Sequence, residues 1–397
     1  MSAAGQFWDA AFRPLFLATA LCAIAGALWW PLGLPMPGLL PAGLWHAHEM
    51  LFGFAGAAVG GYLLTALPSW TGMPPISGRP LVFLTLSWIL ARIAAFHAGY
   101  LTAPVLALAG AGYFLFLAIL LLRRIVAAKS WGKLGFVFIV LILGGTDAVL
   151  LWSVAEGHLA LGRDATGTAV LLFAMLMSQI GGKAVPAFTR NWLSRSGHGC
   201  AKSLPRSPLP ATVLLAGAIL CETTGYRQLA GIHLVSSSAL LLRLMRDWRS
   251  LEVRSEPLLV ALHLGFLWLP VGLGLAGLAR LMPLPISDTE ILHVLTVGAM
   301  GGLVFAMAGR AAAHRDNGRL RASPRFATGV ALIWLAACVR VLLPENLALS
   351  GTLWCLGWAA FTLDLLPNLG GPVERPILSG RRLPAPAGRE NTEWREA

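Results

Sequence analysis

Four histidines stand where an imidazole can meet a metal: His46, His48, His263 and His293. The densest cluster is Trp45-His46-Ala47-His48-Glu49-Met50, at the mouth of an apolar run that continues to about Pro68. Ionisable side chains entering a bilayer cost free energy, so they are rare and tend to mark function. Imidazole is also the commonest protein ligand for haem iron and copper. On a helix, His46 and His48 lie about 200° apart, so one helix would offer rings to two different neighbours. His46 and Glu49, at i and i+3, share a face, and Glu49 is positioned to fix the His46 tautomer. The plainer alternative is a wet, polar helix end.

His263 lies in Leu262-His263-Leu264-Gly265-Phe266 and His293 in Leu292-His293-Val294-Leu295-Thr296. Each reads as a ligand or as a ring satisfied by one hydrogen bond to a neighbouring helix. Arg92 and Asp147 interrupt two further apolar runs. They are expected either to neutralise each other or, for Arg92, to bind an anionic group such as a haem propionate. Small residues follow both outer histidines: Gly53, Gly56, Gly60 and Gly61 after His48, and Gly298, Gly301 and Gly302 after His293. They allow close helix packing or leave room for a flat cofactor.

The elements that must position these residues are membrane spans. The chain has 397 residues, 57% of them hydrophobic and only 12% charged, against roughly 25% charged in soluble proteins. Mean hydropathy is +0.71. This composition indicates an all-α polytopic membrane protein. About twelve spans are expected, at 14–34, 44–68, 80–98, 101–123, 133–155, 166–188, 208–224, 226–243, 257–281, 287–309, 325–343 and 348–367. The split at 208–243 requires Thr223-Thr224-Gly225-Tyr226 to act as a tight turn. A single transmembrane domain would occupy residues 1–369, with 370–397 as a poorly ordered cytoplasmic tail.

The net charge of +12 is a matter of orientation and does not point to nucleic acid. Seventeen Lys and Arg fall in alternate loops, against Arg163, Arg227 and Arg280 in the others. This is the positive-inside pattern of a protein with both termini in the cytoplasm, N-in/C-in. The outer end of the second span then lies on the same side as His293, Arg92 and Asp147. The five cysteines form no C-x-x-C pair, so neither a zinc pattern nor covalent c-type haem is supported. Walker, dinucleotide-binding, H-E-x-x-H and G-x-S-x-G motifs are absent from the sequence.

The chain resembles the NnrS family of bacterial membrane proteins. The resemblance begins at Phe12-Arg13-Pro14-Leu15-Phe16 and is strongest in Trp45-His46-Ala47-His48-Glu49-Met50-Leu51-Phe52-Gly53-Phe54. It continues through Leu64-Thr65-Ala66-Leu67-Pro68, Phe188-Thr189-Arg190-Asn191-Trp192-Leu193, His263-Leu264-Gly265 and Leu295-Thr296-Val297-Gly298. Lys183 stands where the family pattern leads one to expect arginine. The resemblance implies an inner-membrane protein with non-covalent b-type haem and copper, acting in nitric oxide response and denitrification. It makes His46, His48, His263 and His293 the expected metal ligands, with Glu49 and Arg92 as supporting groups. Nitric oxide would be the ligand, and respiratory electron-transfer proteins the partners. The outer-side histidines also look, more distantly, like those of haem–copper oxidase catalytic subunits. Two rival readings remain at this level. One is a cofactor-free transporter lined by the same His, Arg and Asp residues; the other is an assembly partner of a respiratory complex.

Overall fold

The computed structural model describes residues 6–29, 32, 34, 40–196, 206–316 and 318–379. Apolar segments in lipid must satisfy their own backbone, and helices do so within one segment. Among the described residues there are twelve long helices. They are α1 Phe12–Leu28, α2 Ala42–Thr71, α3 Arg79–Phe96, α4 Ala103–Ala127, α5 Leu134–Ala155 and α6 Leu159–Arg195. The second half holds α7 Leu209–Thr223, α8 Arg227–Arg246, α9 Pro257–Leu281, α10 Asp288–Ala312, α11 Pro324–Leu342 and α12 Leu347–Leu365. Ten are long and apolar enough to cross a membrane, and α1 and α7 are shorter apolar helices. The chain is a multi-pass, all-helical membrane protein.

Sequential helices pack as hairpins, α4 on α5, α8 on α9 and α11 on α12, and α12 returns to α1. Trp354 Nε1 donates to the Ala23 carbonyl at 3.0 Å across that closure. The expected turn between α7 and α8 is present, with Gly225 at φ +84°. The sixth span is longer than its apolar stretch suggested, 37 residues, or roughly 55 Å at 1.5 Å per residue. The helix runs through Pro186 without ending.

A two-stranded hairpin, β1 His314–Asp316 and β2 Arg319–Arg321, caps the arginine-rich end of the bundle. There the segment beyond α12 folds back. Arg13 donates to the carbonyls of Asn368, Gly370 and Gly371, Arg310 to that of Leu378 and Arg315 to that of Ile377. Ile377 and Leu378 are buried. Residues 370–379, the first part of the expected tail, thus pack against the bundle. The remainder of that tail lies outside the described residues, as do His198 and Cys200.

Candidate functional site

α2 and α10 share a feature that orders the site. Each is α-helical up to its histidine and then widens into π-helix, over Glu49–Ala55 and Val294–Gly301. A π turn leaves backbone carbonyls without their usual α partners, and such turns cluster at functional sites. Neighbouring helices supply donors to the first of them. Cys22 Sγ of α1 lies 3.4 Å from the Glu49 carbonyl, Trp88 Nε1 of α3 donates to Gly53 at 3.0 Å, and Tyr113 of α4 donates to Gly56 at 3.0 Å. The start of α10 is fixed by a capping box between Ser287 and Glu290.

The two histidines of α2 diverge as helical geometry requires. His48 turns into the bundle and is fully buried. Its Nδ1 lies 2.9 Å from Glu49 Oε1 and its Nε2 2.9 Å from Asp147 Oδ1 of α5. Arg92 of α3 completes the group, with Nη1 3.4 Å from Glu49 Oε1 and Nη2 3.9 Å from Asp147 Oδ2. This charged cluster ties α2, α3 and α5 together. Gly53 makes room for it: a Cβ there would lie 2.6 Å from Cys22 Sγ and 2.9 Å from Arg92 Nη1. Glu49 therefore bonds to His48 rather than to His46, contrary to the i, i+3 expectation. The helix widens at Glu49, so ideal α spacing does not hold there.

His46 turns the other way. Its Nδ1 is 2.9 Å from the Gly26 carbonyl of α1, which makes Nδ1 an N–H donor. His293 repeats the arrangement within its own helix, its Nδ1 2.6 Å from the Thr289 carbonyl. Both rings line one cavity of about 1800 Å³. The first π turn contributes Met50, Leu51 and Phe54 to its wall, and the second Leu295, Thr296 and Met300. The C-terminal halves of α2 and α10 touch, and the cavity lies where their N-terminal halves and α6 line it.

Residues 6–372 match the family model described as NnrS protein. The chain belongs to the NnrS family. No curated protein matches it.

In this NnrS-family member the four candidate histidines fall in three places. His46 and His293 share the cavity, and His48 is enclosed by carboxylates. His263 sits in the first half of α9, toward the arginine-rich end, between Thr189 Oγ1 and Ser250 Oγ at 2.9 Å each. Trp248 packs edge-on against its ring. Among the described residues, no three His, Cys, Asp or Glu side chains converge as a metal-holding group. Sequence reading passed over one cavity residue, Arg340 in the last turn of α11. The available signal was a lone arginine in the apolar run Ala336-Ala337-Cys338-Val339-Arg340-Val341.

Proposed function

We propose that this protein is an inner-membrane haem protein of the nitric oxide response, with His46 and His293 as the iron ligands. The supporting observation is that two separate helices, each widened just past its histidine, bring two Nδ1-anchored imidazoles to one cavity. A porphyrin supplies four of the iron ligands, so two imidazoles suffice. A copper site built from protein donors alone needs more of them converging. The volume exceeds the roughly 300–1,000 Å³ of ordinary small-ligand pockets, and the wall is largely aliphatic, with Phe54 and Trp354. Held by these two imidazoles, haem iron would supply one-electron chemistry, and nitric oxide would bind it only in place of one of them.

The chain's own groups have defined tasks in this reading. The Gly26 and Thr289 carbonyls fix the tautomer and direction of each ring, the usual role of a metal-bound histidine's outer partner. Met50, Leu51, Phe54 and Met300 give the cavity an apolar wall beside the two rings. The His48–Glu49–Asp147–Arg92 cluster holds α2 in place and so positions His46. His48 has both ring nitrogens engaged by carboxylates, and His263 lies at another level of the bundle. Both act here as structural histidines.

The test is the optical spectrum and the iron and copper content of protein purified after expression with ample haem. The expected result is a Soret band with stoichiometric iron, lost or shifted in His46→Ala and His293→Ala and unchanged in His263→Ala. Absence of a Soret band and of iron would overturn the proposal. Substrate flux through proteoliposomes of the metal-free protein would favour the transporter reading instead.

A further inference from the structure

Four arginines line the cavity: Arg163, Arg227, Arg280 and Arg340. Their surroundings separate them. Arg280 is hydrogen-bonded to Glu222 and also donates to the Ala276 carbonyl at 2.7 Å. Arg227 is largely exposed and faces Asp288 at 4.0 Å. Arg163 is exposed at the start of α6. Arg340 is half-buried and lines the same cavity as His46 and His293. Among the described residues, no carboxylate forms an ion pair with it. Glu290, on the neighbouring α10, caps that helix, its Oε2 accepting from the Ser287 N–H at 2.7 Å.

A guanidinium at the end of an apolar helix, partly removed from water and without an ion-paired carboxylate, is costly. It is repaid by an anion that occupies the same cavity. Guanidinium binds carboxylate through parallel hydrogen bonds that an ammonium cannot reproduce. We propose that Arg340 recognises the carboxylate side chains of the cavity's ligand. Resting on the haem reading above, this assigns it the propionates and sets which edge of the macrocycle faces α11. Arg92, the sequence-level candidate for that task, already has two carboxylates of its own.

The experiment reconstitutes haem-free protein with haem and, separately, with haem dimethyl ester, whose propionates carry no charge. Binding is followed by the Soret band and release by transfer to apomyoglobin. Wild-type protein should retain haem roughly tenfold longer than the ester, the effect of one charge-assisted hydrogen-bonding group. Arg340→Leu should bring haem down to the ester's rate, Arg340→Lys should fall between, and Arg123→Gln, exposed near the end of α4 and away from the cavity, should behave as wild type. Equal retention of haem and ester by wild-type protein would overturn the role of Arg340 while leaving haem binding intact. That comparison needs no variant to fold. Failure of both compounds to give the Soret band of bound haem would overturn the haem reading itself.

Discussion

At the scale of single residues, the buried group around His48 constrains its own proton count. A neutral imidazole has one N–H, yet both ring nitrogens lie 2.9 Å from a carboxylate oxygen. A proton must therefore sit on each side of the ring, either on both nitrogens or on one carboxyl. With Arg92 charged, the group of two acids, one imidazole and one guanidinium is then neutral overall. Such a group tolerates loss of one partner badly, since breaking a buried pair costs about 3–5 kcal/mol. Arg92→Leu is expected to lower the melting temperature of the cofactor-free protein sharply. Replacing Asp147 by Leu as well should restore part of the loss, giving a positive coupling energy in the double-mutant cycle. If Arg92 served a ligand instead, the cofactor-free protein would melt normally and only ligand retention would change. The sequence made an Arg92–Asp147 association legible, because two opposite charges in apolar runs have few other partners. It could not show that Glu49 and His48 join them, because that depends on where a helix widens.

At the scale of the element, the widened turns explain what hydropathy could not reveal. Glu49–Ala55 and Val294–Gly301 are as apolar and as rich in small residues as ordinary membrane helix. Nothing in residue type marks the change of pitch. Its consequence is large, because one residue more or less rotates the flanking segments by about 100° relative to each other. Deleting Val297 is expected to turn His293 away from the cavity while α10 still spans. The readout is loss of the Soret band in protein that inserts at normal yield. Close packing gives a second prediction. A Cβ on Gly265 of α9 would meet the backbone of Gly302 and Leu303 at 2.7–2.8 Å. Gly265→Val should therefore force α9 and α10 apart and destabilise by about 1–3 kcal/mol or more. Gly112→Ala, in mid-helix with open space around it, should be neutral or slightly stabilising. Thermal melts in one detergent compare the two.

At the scale of the whole molecule, the twelve helices were legible because each carries its own hydropathy, independent of the others, although α1 and α7 are shorter than the ten that can span. The edge of the folded unit was not. Residues after α12 are rich in Pro, Gly and charge, a composition shared by loose tails and by loops pinned through their backbone. What pins this one is distant in sequence. Arg13 reaches Asn368, Gly370 and Gly371, and Arg310 reaches Leu378. Arg13 and Arg310 are both almost fully buried, and the carbonyls they meet satisfy guanidinium groups that would otherwise be stranded. The segment also covers apolar surface with Ile377 and Leu378. The bundle should therefore respond to truncation in two steps. A chain ending at Ser379 keeps every one of these acceptors and is expected to match the full-length protein in yield and melting temperature. A chain ending at Leu369 keeps the Asn368 carbonyl but loses the acceptors at Gly370, Gly371 and Leu378, so Arg310 is left buried without its carbonyl. Its melting temperature should fall by several degrees or it should fail to accumulate, and Arg310→Met in that background should recover part of the loss. Equal stability of the two truncations would show that the segment lies on the bundle without holding it.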